Sequence, residues 1–409
     1  MPSHVTHLEA AIDGTRFPAR TPQTTHEGRP LWVRYDLEAV GRAVKRGDLA
    51  LRESTLWRYR EFLPVERDED IVSLGETMTP LLRCDRLAKV MGVEHLFVKD
   101  ESRLPTGSFK ARGMAMAVSM ARALGVKRIA LPTAGNAGGA AAAYAARAGI
   151  ECFVFMPNDT PIVNRLEAAL HGARVFLVNG LIHDCGRLVG EGRDAMGWFD
   201  FSTLKEPYRL EGKKTMGLEL AEQFNWRLPE VVLYPTGGGT GLIGMWKAWQ
   251  ELAAVGWLKG ERLPRLHACQ SSGCAPIPAA FDAGERFAPP PANPHTLASG
   301  LRVPRAVGDF MILDAVRASG GRAVAADESR LIEWMRLGCE LEGVALCPES
   351  AAGLDVLEQG LRAGWVRPDE RIVLFNTGAV QKYVEVMDRG VEFVSLDCHK
   401  PVDWAKVAG

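Results

Sequence analysis

The sequence predicts an α/β protein whose sheets are mainly parallel. The first observation is a set of short apolar runs rich in β-branched and aromatic residues, as in strands that are buried on both faces. The second is that patterns typical of helices separate these runs, and strand–helix alternation builds parallel sheets covered by helices. The predicted strands are residues 128–131, 152–156, 174–178, 231–234, 266–269 and 371–375, and the predicted helices include residues 111–124, 138–148 and 241–252.

Residues 1–64 are expected to form an N-terminal arm rather than a domain. Residues 35–44 read as one short helix, and Trp57, Tyr59 and Phe62 lie close together in the sequence. These aromatic side chains either pack on the main body or make a subunit contact, since aromatic residues are enriched at interfaces. The first is the favoured interpretation. The proline-rich residues 286–294 are expected to be a surface loop.

Composition narrows the class of protein. The chain has 409 residues, of which 47% are hydrophobic, which is enough for two domains or more. Lys plus Arg (49) nearly balances Asp plus Glu (50), so no basic excess indicates a nucleic-acid partner. No apolar run is long enough to span a membrane, and the N-terminus does not resemble a secretory signal, so the cytoplasm is expected. The eight cysteines form no C-x-x-C pair, so no metal site is predicted, and Cys269 and Cys274 are expected to be buried thiols.

A lysine ends the loop before the predicted helix 111–124. Pro105 and Gly107 interrupt regular structure, and Ser108 is a good N-cap for a helix that begins near Phe109. Lys110 then lies at the positive end of the helix dipole, which disfavours an ammonium group and favours a neutral amine or an imine. On this segment alone, a solvated surface lysine is an equally good interpretation.

Asn136 stands between the predicted strand 128–131 and an alanine-rich helix. The small residues around it let a ligand approach the backbone. The Asn136 amide could donate to a ring oxygen, and the neighbouring N–H groups could hold a carboxylate at the helix N-terminus. Taken alone, a plain helix N-cap is the stronger interpretation.

A glycine-rich loop follows the predicted strand 231–234. Gly237, Gly238, Gly239 and Gly241 surround Thr240. Glycines let the backbone N–H groups turn toward an anion, and the dipole of the following helix supports negative charge. The spacing matches neither nucleotide-binding glycine motif. A phosphate site is therefore expected in preference to a tight turn.

Thr377 follows the last predicted strand, at the edge of the sheet where ligands gather in open α/β folds. Its hydroxyl could face a pyridine nitrogen and leave that nitrogen largely unprotonated, or it could cap a turn. The lysine, asparagine and glycine loops offer partners for an aldehyde, a ring hydroxyl and a phosphate. These are three functional groups of pyridoxal phosphate (PLP), so the loops together predict PLP as the cofactor.

These four stretches, in this order, resemble PLP-dependent enzymes of fold type II, the tryptophan synthase β-like superfamily. Within it the chain most resembles the threonine synthase family, from about residue 30 to 395, and residues 73–81, 98–101 and 211–215 add to the likeness. Residues 58–60 resemble the arm of the plant-like subgroup. The resemblance implies two open twisted α/β domains with the cofactor in the cleft between them, and a homodimer. The implied domains are residues 65–108 with 202–395, which form the larger PLP-binding domain, and residues 109–201, which form the smaller one, with residues 396–409 as a C-terminal tail.

The resemblance implies a lyase of threonine biosynthesis that converts O-phospho-L-homoserine and water to L-threonine and phosphate by β,γ-elimination and replacement. Lys110 would hold PLP and move protons, and Asn136 would contact the ring oxygen. Residues 237–241 would bind the cofactor phosphate, and Thr377 would face the pyridine nitrogen. The candidate substrate-binding residues are Ser108, Arg112, Thr133, Ala134, Gly135, Lys213 and Lys214. Of these, Ser108, Arg112, Lys213 and Lys214 are the candidates for the substrate phosphate. Arg112 could equally be a surface or interdomain charge, and Lys214 a structural ion-pair partner.

Three departures from the family pattern leave the leaving group open. Ala111 stands where the family often has aspartate, and residues 133–137 differ from its usual Ser-Ser-Gly-Asn-Thr loop. The arm has no cysteine, whereas many relatives carry a cysteine-rich ribbon there. The alternatives are a threonine or serine ammonia-lyase, a cysteate synthase-like β-replacement enzyme, and a non-catalytic binding protein, which the presence of Lys110 disfavours.

Overall fold

The computed structural model describes residues 3–258, 260–389, 393–402 and 404. In chain order its strands are β1 (Val5–Ala10), β2 (Arg16–Phe17), β3 (Leu31–Tyr35), β4 (Leu81–Arg83), β5 (His95–Asp100), β6 (Arg128–Pro132), β7 (Glu151–Pro157), β8 (Arg174–Val178), β9 (Phe199–Asp200), β10 (Val231–Pro235), β11 (Arg265–Ser271), β12 (Ala323–Ala326) and β13 (Arg371–Asn376). Its helices are α1 (Leu37–Ala43), α2 (Asp85–Met91), α3 (Lys110–Ala123), α4 (Ala137–Ala148), α5 (Ile162–Leu170), α6 (Ile182–Met196), α7 (Tyr208–Gln223), α8 (Thr240–Ala254), α9 (Pro276–Asp282), α10 (Asp309–Ala318), α11 (Leu331–Glu342), α12 (Pro348–Arg362) and α13 (Val384–Met387).

Two parallel sheets form the framework of the fold. The larger has the strand order β12-β11-β10-β13-β5-β4, in which β4 alone runs antiparallel to its neighbour. The smaller has the order β8-β7-β6-β9 and is parallel throughout. All six predicted strands are present, and the predicted helices α3, α4 and α8 each begin one residue earlier than expected. The predicted α/β class is therefore confirmed.

The N-terminal arm contains more regular structure than the sequence indicated. Besides α1, it forms a three-stranded antiparallel sheet in the order β2-β1-β3. The strands are stabilised by packing, because Leu8 and Val33 are buried in one cluster with residues of α3 and α4. Tyr59 and Phe62 are each 1% exposed and pack against α7 and α8. The arm therefore packs its aromatic side chains on the main body, as expected.

The framework brings the carboxyl ends of strands from both sheets to one region. The loops after β10 and β13 approach the loop after β6, and the turn before α3 lies beside them. Residues 286–294 form a loop between α9 and α10, as expected. Cys269 and Cys274 are both buried free thiols. No helix among the described residues is long and apolar enough to cross a membrane.

Candidate active site

A cavity of about 820 Å³ lies where these loops meet. It contains every residue that the sequence assigned to the cofactor, together with the small residues before α4. These are Lys110, Thr133, Ala134, Gly135, Asn136, Gly237, Gly238, Gly239, Thr240, Gly241 and Thr377. Residues that are up to 267 positions apart in the chain, from Lys110 to Thr377, thus share one site (377 − 110). This convergence agrees with ligand binding at the carboxyl ends of strands in open α/β sheets.

Lys110 is the first residue of α3, and its side chain is partly buried in the cavity wall. Its Nζ lies 4.3 Å from the centre of the Phe109 ring. Burial lowers the pKa of Lys110 to about 7, the positive charge of Arg209 adds to this, and Glu349 partly offsets it. A large fraction of the amine is therefore neutral near neutral pH, as attack on an aldehyde requires.

The turn before Lys110 is held by the loop that follows β13. Phe109 N–H donates to the Thr377 carbonyl at 3.1 Å, and Ala379 N–H donates to the Gly107 carbonyl at 2.8 Å. The prediction that Ser108 caps α3 is wrong, because the cap position is Phe109. The Ser108 side chain is instead fully buried, and its hydroxyl has no partner among the residues the structure describes. The two loops therefore position each other.

A cation on the other side of this turn adds a further connection. Lys382 Nζ donates to the Thr106 carbonyl at 2.7 Å and pairs with Glu167 Oε2 at 2.7 Å. Thr106 has a φ of 58°, a left-handed conformation that is unfavourable for a β-branched residue. Because Glu167 belongs to α5, this ion pair ties the lysine turn to the helices around the smaller sheet.

Asn136 occupies the cap position of α4, yet its side chain makes no capping hydrogen bond. Its Nδ2 donates to the Tyr383 hydroxyl at 3.0 Å. Its Oδ1 is buried without a hydrogen-bond partner in the described parts of the chain. A buried polar atom without a partner is costly, so this oxygen would gain from a donor on a ligand in the cavity.

The glycines after β10 are required by close packing. A Cβ on Gly237 would overlap the Gly300 carbonyl, one on Gly239 would overlap Ile312, and one on Gly241 would overlap the Tyr234 hydroxyl. Gly239 also has a φ of 75°, which favours glycine. The loop then leads directly into the N-terminus of α8, where N–H groups lack intrahelical partners. This arrangement suits an anionic group in the cavity.

Thr377 is 5% exposed and directly follows β13. Its N–H donates to Ser350 Oγ at 3.1 Å, and its Oγ1 lies 3.7 Å from Cys347 Sγ. No carboxylate contacts Thr377 Oγ1 among the described residues. Thr377 thus offers a neutral hydroxyl to the cavity, and its contact with a ring nitrogen stays a prediction.

Arg112 does not reach the cavity. It is fully buried, and its guanidinium donates to Glu101 Oε2 at 2.6 Å and to Glu219 Oε2 at 2.8 Å. Thr79 and Thr215 complete its environment. The structure therefore places Arg112 in an internal ion-pair network that joins α3 to α7, away from the predicted substrate position.

The two lysines of α7 are also outside the cavity lining. Lys213 Nζ donates to the Phe109 carbonyl and lies 4.2 Å from the centre of the Phe109 ring, and burial lowers its pKa well below the usual value. Lys214 Nζ pairs with Glu211 at 2.7 Å and with Glu251 at 2.9 Å. Lys213 supports the turn before Lys110, and Lys214 takes the structural ion-pair role that the sequence left open.

Several cavity residues were missed by the sequence analysis. Glu349 and Tyr383 line it, as do five cationic side chains, namely Arg29, Arg187, Lys205, Arg302 and Arg305. Arg305 is exposed and has no ion-pair partner in the described ranges, whereas Arg302 pairs with Asp159 at 2.7 Å. The Arg-Val-Pro-Arg run at 302–305 was a readable signal, because two arginines flank a proline in a loop.

Comparison with known proteins shows the family of this chain. A sequence profile of the family described as pyridoxal-phosphate dependent enzymes matches residues 72–378. Threonine synthase from Methanocaldococcus jannaschii is 36% identical over 373 residues, which are 91% of this chain and 91% of the relative. Threonine synthase from Methanosarcina acetivorans is 34% identical over 329 residues, which are 80% of each chain. The chain belongs to the threonine synthase family of PLP-dependent enzymes.

Solved structures of PLP-dependent enzymes share the fold of this threonine synthase family member. Diaminopropionate ammonia lyase from Escherichia coli has a TM-score of 0.67 at 19% identity and covers 95% of this chain and 99% of its own. Maize serine racemase has a TM-score of 0.62 at 21% identity and covers 74% of this chain and 88% of its own. The predicted fold type II architecture and the PLP cofactor are thereby confirmed.

Proposed function

We infer that this chain is a threonine synthase, which converts O-phospho-L-homoserine and water to L-threonine and phosphate. The observation that carries the inference is identity of 31–36% to threonine synthases from several organisms over most of the chain. The site agrees with it, because a partly buried lysine, the Asn136 amide and a glycine loop meet in one cavity that has cations in its lining.

Four groups of this chain would hold PLP. Lys110 Nζ would bind its aldehyde, Asn136 its ring oxygen, residues 237–241 its phosphate, and Thr377 Oγ1 would face its ring nitrogen. Asn136 Nδ2 donates one of its two hydrogens to the Tyr383 hydroxyl and has a second for a ring oxygen, and the bare backbone of the glycine loop fits a phosphate. When bound, PLP supplies an electron sink for a carbanion next to the amino group.

The protein itself moves protons and positions the substrate. Lys110 Nζ has a pKa of about 7, so the same amine can accept a proton at substrate Cα and return it. Thr133 N–H and Gly135 N–H already donate to the Phe155 carbonyl at 2.9 Å and to Thr133 Oγ1 at 3.1 Å, so the backbone N–H groups at the start of α4 are the ones that suit the substrate carboxylate. Thr377, as a neutral hydroxyl, would leave the ring nitrogen largely unprotonated.

The leaving phosphate requires a cationic site, and the candidates change from those the sequence offered. Arg112 and Lys214 are engaged by buried carboxylates, and Lys213 contacts a backbone carbonyl. Arg305 and Arg187 are exposed side chains in the cavity lining, so they lie at its opening. We therefore assign the substrate phosphate to the cationic opening of the cavity, with Arg305 as the principal ligand.

The proposal includes a homodimer in the cytoplasm and the division into residues 65–108 with 202–395 and residues 109–201. Exposed apolar side chains on α5 and β8 support a contact between two copies, since Leu166 is 53%, Leu170 86% and Phe176 43% exposed. β8 is also an edge strand. Light scattering should give twice the chain mass, and Leu166→Glu with Leu170→Glu should shift the protein toward a monomer.

A substrate panel tests the function. O-phospho-L-homoserine, threonine, serine and phosphoserine are supplied separately to the PLP-loaded protein, and phosphate, threonine and 2-oxo acids are measured. Release of phosphate with equimolar threonine from the first substrate supports the proposal. Faster formation of 2-oxobutyrate from threonine would replace it with an ammonia-lyase. Arg305→Gln should raise the KM for O-phosphohomoserine about tenfold, and Arg122→Gln, on the exposed end of α3, is the control.

A further inference from the structure

A carboxyl group that the proposed chemistry does not yet use lies in the cavity wall. Glu349 is the second residue of α12, is 4% exposed, and lines the same cavity as Lys110. One of its oxygens, Oε1, accepts from the Gly300 N–H at 2.8 Å. The other, Oε2, is buried and makes no hydrogen bond of normal geometry in the described parts of the chain, although the Cys347 and Tyr383 side chains lie near enough to stabilise the carboxylate. An acidic group is thus half-satisfied beside the site where the substrate must bind.

The surroundings of Glu349 favour its protonated form. Burial raises its pKa above the usual value, although the Gly300 N–H and the Cys347 and Tyr383 side chains partly oppose this. The Cys347 thiol is itself neutral, because burial raises its pKa to about 12. Among the described residues, the titratable groups that interact with Glu349 include Cys347, Tyr383 and the amine of Lys110, and of these three Lys110 is the one that carries positive charge when protonated.

The proposed reaction moves protons at several atoms of the substrate. Converting O-phosphohomoserine to threonine breaks the Cγ–O bond and forms a Cβ–O bond with water. Cβ and the water each lose one proton, while Cγ and the departing phosphate each gain one. The proton removed from Cα returns to it, so the protons balance and no oxidant or reductant is needed. Lys110 accounts for the proton exchange at Cα. The proton transfers at Cβ and Cγ still require a donor and an acceptor.

We propose that Glu349 is a second catalytic acid–base residue, which exchanges protons with the substrate side chain in the cavity that Lys110 lines. The proposal rests on the proposed threonine synthase function. Oε1 fixes the carboxyl group through Gly300, and Oε2 carries the proton that is exchanged. A residue that only supported the 299–301 turn would need Oε1 alone. Such a role does not explain why the second oxygen, Oε2, is buried at the cavity wall without a hydrogen bond of normal geometry among the described residues.

The test compares Glu349→Gln with Glu349→Ala in the PLP-loaded protein. Glutamine keeps an oxygen for the Gly300 N–H and cannot titrate, whereas alanine removes both functions. We expect Glu349→Gln to retain its bound cofactor, seen as the visible absorbance of lysine-bound PLP, and to lose about 10²- to 10⁴-fold in kcat. The pH profile of kcat should also lose one ionisation. Wild-type kcat and pH profile in Glu349→Gln, or a loss of kcat that only follows loss of bound PLP, would overturn the proposal.

A second readout does not depend on turnover. The ionised form of Glu349 raises the pKa of Lys110, so Glu349→Gln should move the pH midpoint of PLP capture by the cofactor-free protein downward. An unchanged midpoint would show that the two groups do not share the site. If the wild-type protein forms no threonine, the proposed function fails. If it forms threonine and Glu349→Gln does so equally well, this inference alone fails.

Discussion

Removing the charge of Arg112 should destabilise the protein without affecting a substrate contact. The Arg112 side chain donates to both oxygens of Glu101 and both oxygens of Glu219, and all three residues are buried. Arg112→Met fills a similar volume but leaves two buried carboxylates with less compensation. Lys99 still pairs with Glu219 at 2.8 Å, whereas Glu101 would keep only the Thr79 hydroxyl at 2.7 Å.

Breaking a buried ion pair by removing one partner costs about 3–5 kcal/mol. We therefore expect Arg112→Met to lower the free energy of unfolding by about 3–5 kcal/mol, a large share of the stability of a typical protein. Urea unfolding of the cofactor-free protein, followed by tryptophan fluorescence, measures this loss. Arg122→Met is the matched control, because Arg122 is exposed on the same helix and should change stability by about 0.5 kcal/mol or less.

A stable Arg112→Met variant with impaired substrate binding would instead indicate that Arg112 contacts the substrate. If Arg112→Met is as stable as Arg122→Met and instead raises the KM for O-phosphohomoserine, the buried network does not exist as described. Arg112→Lys adds a second measure. It keeps the charge and loses the forked geometry, so its stability should lie between those of the wild type and Arg112→Met.

Three further predictions concern the cofactor site. PLP capture by the cofactor-free protein should have a midpoint near pH 7, since the capturing form of Lys110 is the neutral amine and its pKa is about 7, and Lys110→Ala should capture none; a midpoint near pH 10 would contradict the buried position of this amine. Gly237→Ala should lower PLP affinity and cost about 1–3 kcal/mol of stability, because a Cβ there overlaps the Gly300 carbonyl. The exposed Gly47→Ala, with no atom within 4 Å of the added carbon, is its control, and equal stability of the two variants would refute the overlap. Thr377→Asp should protonate the ring nitrogen and change the ratio of products from O-phosphohomoserine, whereas an unchanged ratio would remove Thr377 from that contact.

The cofactor loops could be predicted from the sequence because their signals are local. Strand ends, glycines and a lysine near a helix start are readable within a few residues, and the structure brings all four loops into one cavity. The strands 128–131 and 231–234 were readable for the same reason, as continuous apolar runs. The arm sheet was missed because β1 and β3 are stabilised by distant contacts with α3 and α4 rather than by a strong local pattern.

The ion-pair partners of individual charged residues could not be predicted, because those partners are far away in the sequence. Arg112 pairs with Glu219, which is 107 residues away, and Lys382 pairs with Glu167, which is 215 residues away. Burial of Glu349 depends on the packing of α12 against the 299–301 turn. Ser108 was assigned as a helix cap from its residue type, but backbone bonds to the Thr377 loop place the start of α3 at Lys110 and leave the Ser108 hydroxyl unused.

Turnover of O-phospho-L-homoserine in water labelled with heavy oxygen tests the central claim most directly. A threonine synthase breaks the Cγ–O bond and adds water at Cβ, so the label should appear once in the threonine hydroxyl and not in the released phosphate. Label in the phosphate, with homoserine as the other product, would identify simple phosphate ester hydrolysis and contradict the account.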